Sequence, residues 1–244
     1  MIADNKSMNP LIEYLEKNPD GRLVNRWRHY FDIYHRHFSR FRGETITMIE
    51  IGIFNGGSLK MWKDYFGPNA TIVGVDINPG CKKYEEPGIE VVIGDQADPK
   101  FLQALSKQYP KSAVIVDDGG HRMEQQITTL EELYFSMRED GVYLCEDTHT
   151  SYMPVFGGGH LKQDTFIEHS KKLIDQLNAF HVKEGESLAP NDFTYASDSI
   201  HFYDSVVVIE KKPRTQPDQV TYGKEADFAY IAPSLSGKKR FLYI

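Results

Sequence analysis

Cysteine is scarce in this chain: Cys81 and Cys145 are the two in 244 residues. Two cysteines give neither a disulfide framework nor a thiolate metal centre, and Cys145, inside an apolar run, is expected to be a small buried hydrophobe. A basic excess is missing as well. The formal net charge is -7 and the isoelectric point about 5.7, so the electrostatic footprint of a nucleic-acid binder is absent. Short basic clusters, Lys211-Lys212 with Arg214 and Lys238-Lys239-Arg240, are expected to be solvated surface. No apolar run approaches the ~20 residues of a membrane span, and the opening MIADNKSMNPLIEYLEKNPDGR lacks the apolar core of a signal peptide. The expectation is a soluble, cytoplasmic protein with no membrane or nucleic-acid partner. Repeats, low-complexity tracts and linkers are lacking too. A single domain over 1–244 follows, with N-terminal helices in 1–42, a core in 43–210 and a C-terminal extension in 211–244.

What is present is a strand-helix alternation. Residues 9–18 predict a short helix, and the aromatics Trp27, Tyr30, Phe31, Tyr34 and Phe38 recur at three and four residues, predicting an amphipathic helix over Leu23–Phe41. His29, His35 and His37 belong to it as surface or packing side chains. Beyond Gly43, TITMIEIGIFNGGSLKMWKDYF predicts strand, glycine turn and helix, and TIVGVDINPG, IEVVIGDQ, SAVIVDD and GVYLCED predict further strands. Helices are predicted over PKFLQALSKQY, 122–138 and about 164–180, with a turn or short helix at 80–86. DSIHFYDSVVVIEKK predicts an antiparallel hairpin. The fold class is therefore α/β: a doubly wound, mostly parallel, seven-stranded Rossmann-like sheet with a C-terminal antiparallel hairpin and N-terminal helices.

Acids stand where these strands end. VIVDDGGH closes on Asp117 and Asp118, and YLCEDTHTSY carries Glu146 and Asp147. Open α/β sheets bind ligands at that edge. Carboxylates gathered there suit a hard divalent cation such as Mg²⁺, with His121 nearby as general base. Neighbours on a strand point opposite ways, so either Asp117 or Asp118 could be the ligand, and Glu146 and Asp147 could instead cap a helix. His149 is an alternative base or an acceptor contact. The breaker-rich run from Thr148 to Leu161 predicts an active-site loop or lid in which Tyr152, Met153 and Phe156 face the acceptor or pack the loop down. His160, His169, His181 and His201 are structural or solvated.

The glycine loop EIGIFNGGS places Gly52, Gly56 and Gly57 where backbone must turn, with Ser58 and the first helical amides available to an anion or carboxylate. Its G-x-x-x-G-G spacing lacks the second glycine of G-x-G-x-x-G, against a nicotinamide or flavin dinucleotide. Glu50 could accept from a ligand ammonium or from loop amides. Asp76 could hold ribose hydroxyls, and Asp95 with Gln96 could meet an adenine edge.

The order Glu50-Ile-Gly, Gly56-Gly57-Ser58, Asp76, Asp95, Asp117-Asp118 and Glu146-Asp147 resembles the class I S-adenosylmethionine-dependent methyltransferases. More narrowly, GGSLKMWKDYF, GDQADPKFL, VDDGGH and EDTHTSYMPVFGGG are similar to the macrolide sugar O-methyltransferases of the mycinamicin and macrocin type, over roughly 25–210. The resemblance implies S-adenosyl-L-methionine in the glycine loop, with Asp117 on the cofactor side. It also implies Mg²⁺ on Asp118, Glu146 and Asp147, His121 as base, and a hydroxylated natural-product acceptor. Larger members carry an N-terminal auxiliary domain used in assembly, for which this chain is too short; its N-terminal helices offer apolar surface for a homo-oligomer. The rival classes are a hydroxylase-like relative holding another metal and a noncatalytic cofactor-binding protein.

Overall fold

Strand and helix alternate through the computed structural model, which describes residues 8–183, 185–223, 231–232 and 240–241. Helix α1 (Pro10–Lys17) starts at Asn9, whose side chain accepts from the Leu11 amide, with Pro10 in the first helical position. Helix α2 (Tyr30–Phe38) runs into a 3₁₀ turn at Ser39–Phe41. There follow β1 (Thr47–Ile51), α3 (Gly57–Phe66), β2 (Thr71–Asp76), a 3₁₀ turn at Pro79–Tyr84, β3 (Ile89–Ile93), α4 (Pro99–Gln108) and β4 (Val114–Asp117). Then come α5 (Met123–Leu133), β5 (Val142–Cys145), α6 (Phe166–Leu177), α7 (Asp192–Ala196), β6 (Ser197–Tyr203) and β7 (Val206–Lys211). Two short segments, β8 (Ile231–Ala232) and β9 (Arg240–Phe241), pair antiparallel with each other. Among the described residues no helix is long and apolar enough to cross a membrane.

The main sheet has the order β3-β2-β1-β4-β5-β7-β6. Its first five strands are parallel, and β7 returns antiparallel between β5 and β6, as the strand pattern and the hairpin predict. The order reverses between β1 and β4. That switch point opens a crevice at the carboxyl ends of both strands.

Alternation along each strand divides the core into two layers. Met48, Val114, Val116, Val142, Leu144 and Val208 pack with α1, α2 and α3, around the buried Trp62. Ile49, Ile51, Ile115, Tyr143, Cys145 and Val207 face the other way, toward α4, α5 and α6. Both sheet faces are therefore covered, which is why these strands are continuous apolar runs.

Two of the predicted helices differ from the sequence expectation. The helix predicted from Leu23 begins at Tyr30, and Leu23–Trp27 crosses the sheet end as irregular chain. Trp27, counted into the apolar stripe, is 59% exposed. Packing and charge override periodicity here: Gly57 lies so near the strap that a Cβ on it would be 2.3 Å from the Leu23 carbonyl oxygen, and Arg26 is drawn inward by buried acids. The helix predicted over 122–138 ends at Leu133 and tightens into a 3₁₀ turn at Tyr134–Ser136. The Thr148–Leu161 segment folds on itself through 3₁₀ turns at Thr148–Tyr152 and Pro154–Phe156, with the Gly158 and Gly159 amides bonded to the Met153 and Ser151 carbonyls. Lys238 and Lys239 of the terminal basic cluster, and most of AYIAPSL and FLYI, lie outside the described residues.

Candidate active site

At the switch point the turn after β1 meets the end of β4. The Asp118 amide donates to the Ile51 carbonyl at 2.9 Å. Gly52 has φ +86°, and a Cβ there would sit 2.2 Å from the Asp118 carbonyl oxygen. Only glycine satisfies both demands. Beyond it lies a cleft of about 290 Å³ whose walls include Gly52, Phe54, Asp76, Asp95, Gln96 and Asp118. Asp76 Oδ2 accepts from the Ile53 and Phe54 amides at 3.1 and 3.2 Å, and its Oδ1 from the Asn78 amide at 2.9 Å. Asp95 Oδ1 accepts from the Ala97 amide at 2.8 Å. Phe54 and Ile77 are exposed at the mouth.

Other residues expected at this ligand stand behind the cleft. Glu50 is fully buried and accepts from Ser58 Oγ at 2.7 Å, Trp62 Nε1 at 2.9 Å and Arg26 Nη2 at 2.9 Å. Strand alternation turns it toward α3, on the side opposite Ile51. Gly56 packs on the Tyr84 ring and Gly57 on the strap. Asp117 is buried too: its Oδ1 accepts from Gln96 Nε2 at 3.0 Å and its Oδ2 from Tyr143 Oη at 3.3 Å. Gln96 Oε1 in turn accepts from the Gly120 amide at 2.7 Å. Asp117 and Gln96 thus fix the loop that carries Asp118 and His121.

Asp118, Glu146 and Asp147 line one cleft at the strand ends, with a partner that the periodicity conceals. The Arg26 guanidinium, 11% exposed, reaches Glu50 Oε1 at 2.9 Å, Asp118 Oδ2 at 2.6 Å and Glu146 Oε2 at 3.2 Å. The last contact is out of line for a hydrogen bond, and both Arg26 Nε and Glu146 Oε2 are buried without a hydrogen-bond partner. Tyr30 and Tyr34, four apart on one face of α2, donate to Asp147 Oδ1 at 2.7 Å and Glu146 Oε1 at 2.6 Å. Gln126 Nε2 holds the Glu146 carbonyl at 3.0 Å. Asp147 caps no helix through its side chain; its φ of 52° puts it in the left-handed region, a strained setting that surrounding bonds must hold.

His121 completes the group. Its Nε2 lies 3.5 Å from Asp147 Oδ2 and 3.9 Å from Asp118 Oδ1, and one donor atom from each of the three falls within 4.8 Å of the others. Its Nδ1 is buried without a partner, and its φ is 55°. A second cleft of about 260 Å³ is lined by Arg26, Trp27, Tyr30, Asp118, Glu146 and Asp147. Asp118 alone, among the described residues, lines both clefts. His149 Nδ1 meets Ser205 Oγ at 2.5 Å and stays 3.9 Å from Asp147 Oδ1. Tyr152 and Met153 are exposed and line neither cleft, while Phe156 sits edge-on to His121 at 6.5 Å between ring centres.

The electrostatics favour a further cation. One guanidinium is shared by three carboxylates, those of Glu50, Asp118 and Glu146, and a fourth, Asp147, lines the same cleft. Burial pushes Asp118 well above the usual carboxylate range and Glu146 up to about 7, both helped by neighbouring acids and opposed by Arg26. Hard carboxylate oxygens and a Glu146 oxygen without a hydrogen-bond partner fit a hard divalent ion. Burial lowers the His121 pKa, Asp147 opposes that and Arg26 adds to it, so the imidazole is neutral at pH 7.

Asp117 provides a test that needs no ligand. Burial raises its pKa from 3.8 to about 6, so between those values the folded state binds a proton that the unfolded chain has released. Its contribution to stability is full below pH 3.8 and is lost as pH rises through about 6, at most about 3 kcal/mol. Asp117→Asn should flatten that decline in urea unfolding measured from pH 4 to 7; an unaltered slope would show that burial does not perturb this carboxyl.

Sequence reasoning missed Arg26, Tyr30, Tyr34 and Gln126 as parts of this site. The usable signal was the arginine beside the apolar stripe, facing a chain that ends several strands in acids.

No family model matches the chain. It is 30% identical over 241 residues to the 8-demethyl-8-alpha-L-rhamnosyl tetracenomycin-C 2'-O-methyltransferase of Streptomyces olivaceus, covering 89% of this chain and 63% of that protein. It is 35% identical over 202 residues to the demethylmacrocin O-methyltransferase of Streptomyces fradiae, covering 78% of this chain and 51% of the relative. A solved structure of MycE methyltransferase from the mycinamycin biosynthetic pathway, in complex with Mg, SAH and mycinamycin VI, superposes with a TM-score of 0.75 at 28% identity, covering 84% of this chain and 54% of that one. The chain thus spans between about half and just under two thirds of the length of these proteins.

Proposed function

This chain belongs with the class I S-adenosylmethionine-dependent methyltransferases, similar to the sugar O-methyltransferases of macrolides and related natural products, and on that premise we propose that it methylates a hydroxyl of a sugar or glycoside. The observation that carries the reading is the shared wall. Asp118 separates a cleft suited to a nucleoside from an acidic cleft suited to a cation and a polyol.

S-adenosylmethionine in the first cleft would supply the methyl group, and Mg²⁺ held by Asp118, Glu146 and Asp147 would supply a Lewis acid that orients two neighbouring acceptor oxygens and acidifies one of them. Asp76 and Asp95 offer acceptors to ribose and base, with Gln96 behind them holding the Gly119-Gly120 loop. Gly52 keeps the approach open. Glu50, Gly56, Gly57, Ser58 and Asp117 act indirectly, by fixing the turn, the strap and the β4 loop. His121 takes the acceptor proton at Nε2, the ring nitrogen that faces Asp147. Tyr30 and Tyr34 hold the carboxylates by single donated bonds, leaving their other lone pairs available. Arg26 neutralises part of the acid cluster, which keeps buried carboxylates ionised in a setting that favours their protonated forms. His149 and Phe156 border this group, one 3.9 Å from Asp147 Oδ1 and the other edge-on to His121.

Calorimetry is expected to show binding of S-adenosylmethionine and no binding of NAD. Tight NAD binding with none of the sulfonium would end this reading.

A further inference from the structure

A second cluster of chemistry-bearing side chains lies along the hairpin edge of the sheet, outside both clefts. There α2, β6 and β7 bring His37, His201 and Glu210 together, with one donor atom of each within 4.8 Å of the others. His37 is buried; His201 and Glu210 are half-buried. His37 Nδ1 is 2.5 Å from Glu210 Oε1, and its Nε2 is 2.8 Å from Tyr203 Oη. The His201 ring centre is 4.7 Å from that of His37, and His201 Nε2 meets Ser199 Oγ at 2.9 Å.

We propose that His37, His201 and Glu210 form a second cation site that takes a borderline transition-metal ion of the Zn²⁺ class and staples α2 to the β6–β7 hairpin. Two imidazoles and one carboxylate suit such an ion, whereas Mg²⁺ prefers an all-oxygen shell. Tyr203 supplies the outer contact that fixes the His37 ring. Arg36 donates to Tyr203 Oη at 3.2 Å, so the phenol hydrogen is free to reach His37 Nε2 and Nδ1–H to reach Glu210. Binding exchanges that Nδ1 proton for the ion. That proton is taken up again at Nε2, so none is released overall: Tyr203 turns from donor to acceptor of Nε2–H, and Nδ1 and Oε1 become ligands.

The opposing charges are few and outward. Arg40 Nη1 stands 3.4 Å from Glu210 Oε2 and is 42% exposed, so it can turn to solvent; Arg36 lies over the Tyr203 ring. The staple would join residues 173 apart in sequence. Its consequence reaches the acid cluster, because Tyr30, Tyr34 and His37 share one face of α2 and contact Asp147, Glu146 and Glu210 in turn. An ion at the third contact would fix the helix that presents both phenols.

The test uses tag-free, chelator-treated full chain carrying Asp147→Asn, which removes a carboxylate of the first site without breaking an Arg26 ion pair. Calorimetry with Zn²⁺ should show one equivalent bound, Co²⁺ should give visible d–d absorption, and Zn²⁺ should raise Tm. His201→Gln, at a half-buried position, should weaken Zn²⁺ binding more than about 10-fold and abolish the Tm rise, as should Glu210→Gln. Absence of Zn²⁺ binding, or binding that survives both substitutions, overturns the proposal without touching the methyltransferase reading.

Discussion

Replacing His121 with glutamine is expected to lower turnover by about 10²- to 10⁴-fold, the usual contribution of a general base, while S-adenosylmethionine binding is unchanged. His121 does not line the cleft proposed for the cofactor, whereas its Nε2 lies 3.9 Å from Asp118 Oδ1 and 3.5 Å from Asp147 Oδ2. The loss should be in kcat rather than KM, because the proton leaves in the transition state. Burial and Arg26 depress the imidazole pKa. A base must be unprotonated to act, so activity should fall on the acid side of the ordinary histidine value of ~6.5, and the glutamine variant should lack that acid limb. His121 also belongs to the donor cluster with Asp118 and Asp147. If it were a ligand rather than a base, glutamine would weaken Mg²⁺ binding in calorimetry along with turnover; unchanged Mg²⁺ affinity with crippled kcat identifies the base.

Asp147→Asn should abolish activity by a different route, through loss of Mg²⁺ affinity beyond the roughly 10- to 100-fold that outer contacts command. This position is the cleaner choice among the three acids. Asp118 and Glu146 are paired with Arg26, so neutralising either would also disturb a buried ion pair. Asp147 accepts from Tyr30 and leaves its Oδ2 toward His121, and asparagine keeps the shape and tolerates the left-handed backbone there. Wild-type activity should vanish with EDTA and return with Mg²⁺. Full turnover in EDTA, or an active Asp147→Asn with undiminished Mg²⁺ binding, would remove the metal from the mechanism.

The sheet was legible because its strands are short apolar runs with acids at their ends, so Asp76, Asp117-Asp118 and Glu146-Asp147 marked both strand termini and the ligand edge. The hairpin was legible from two apolar runs flanking Tyr203-Asp204. The strap was not. Trp27 and Tyr30 continue the helical spacing, and no local pattern reports that Arg26 is drawn to Glu50, Asp118 and Glu146 from strands far along the chain. Glu50 misled for a related reason: an acid beside a glycine loop looks like a ligand contact, but Ser58 and Trp62 already satisfy it. Strand parity could have said as much, since Glu50 shares its side with Met48, packed beneath the helices. Parity alone left Asp117 and Asp118 undecided; burial separates them, with Asp117 enclosed by Gln96 and Tyr143 and Asp118 between the clefts.

Arg26 carries a consequence for protein engineering. It arrives from the segment that precedes the first strand, yet it supplies the counter-charge for acids on β1, the β4 loop and the β5 end. A chimera cut at Thr47, the natural seam by secondary structure, would transplant those acids without their cation and should tolerate the transfer only at low pH or with a divalent ion already in place.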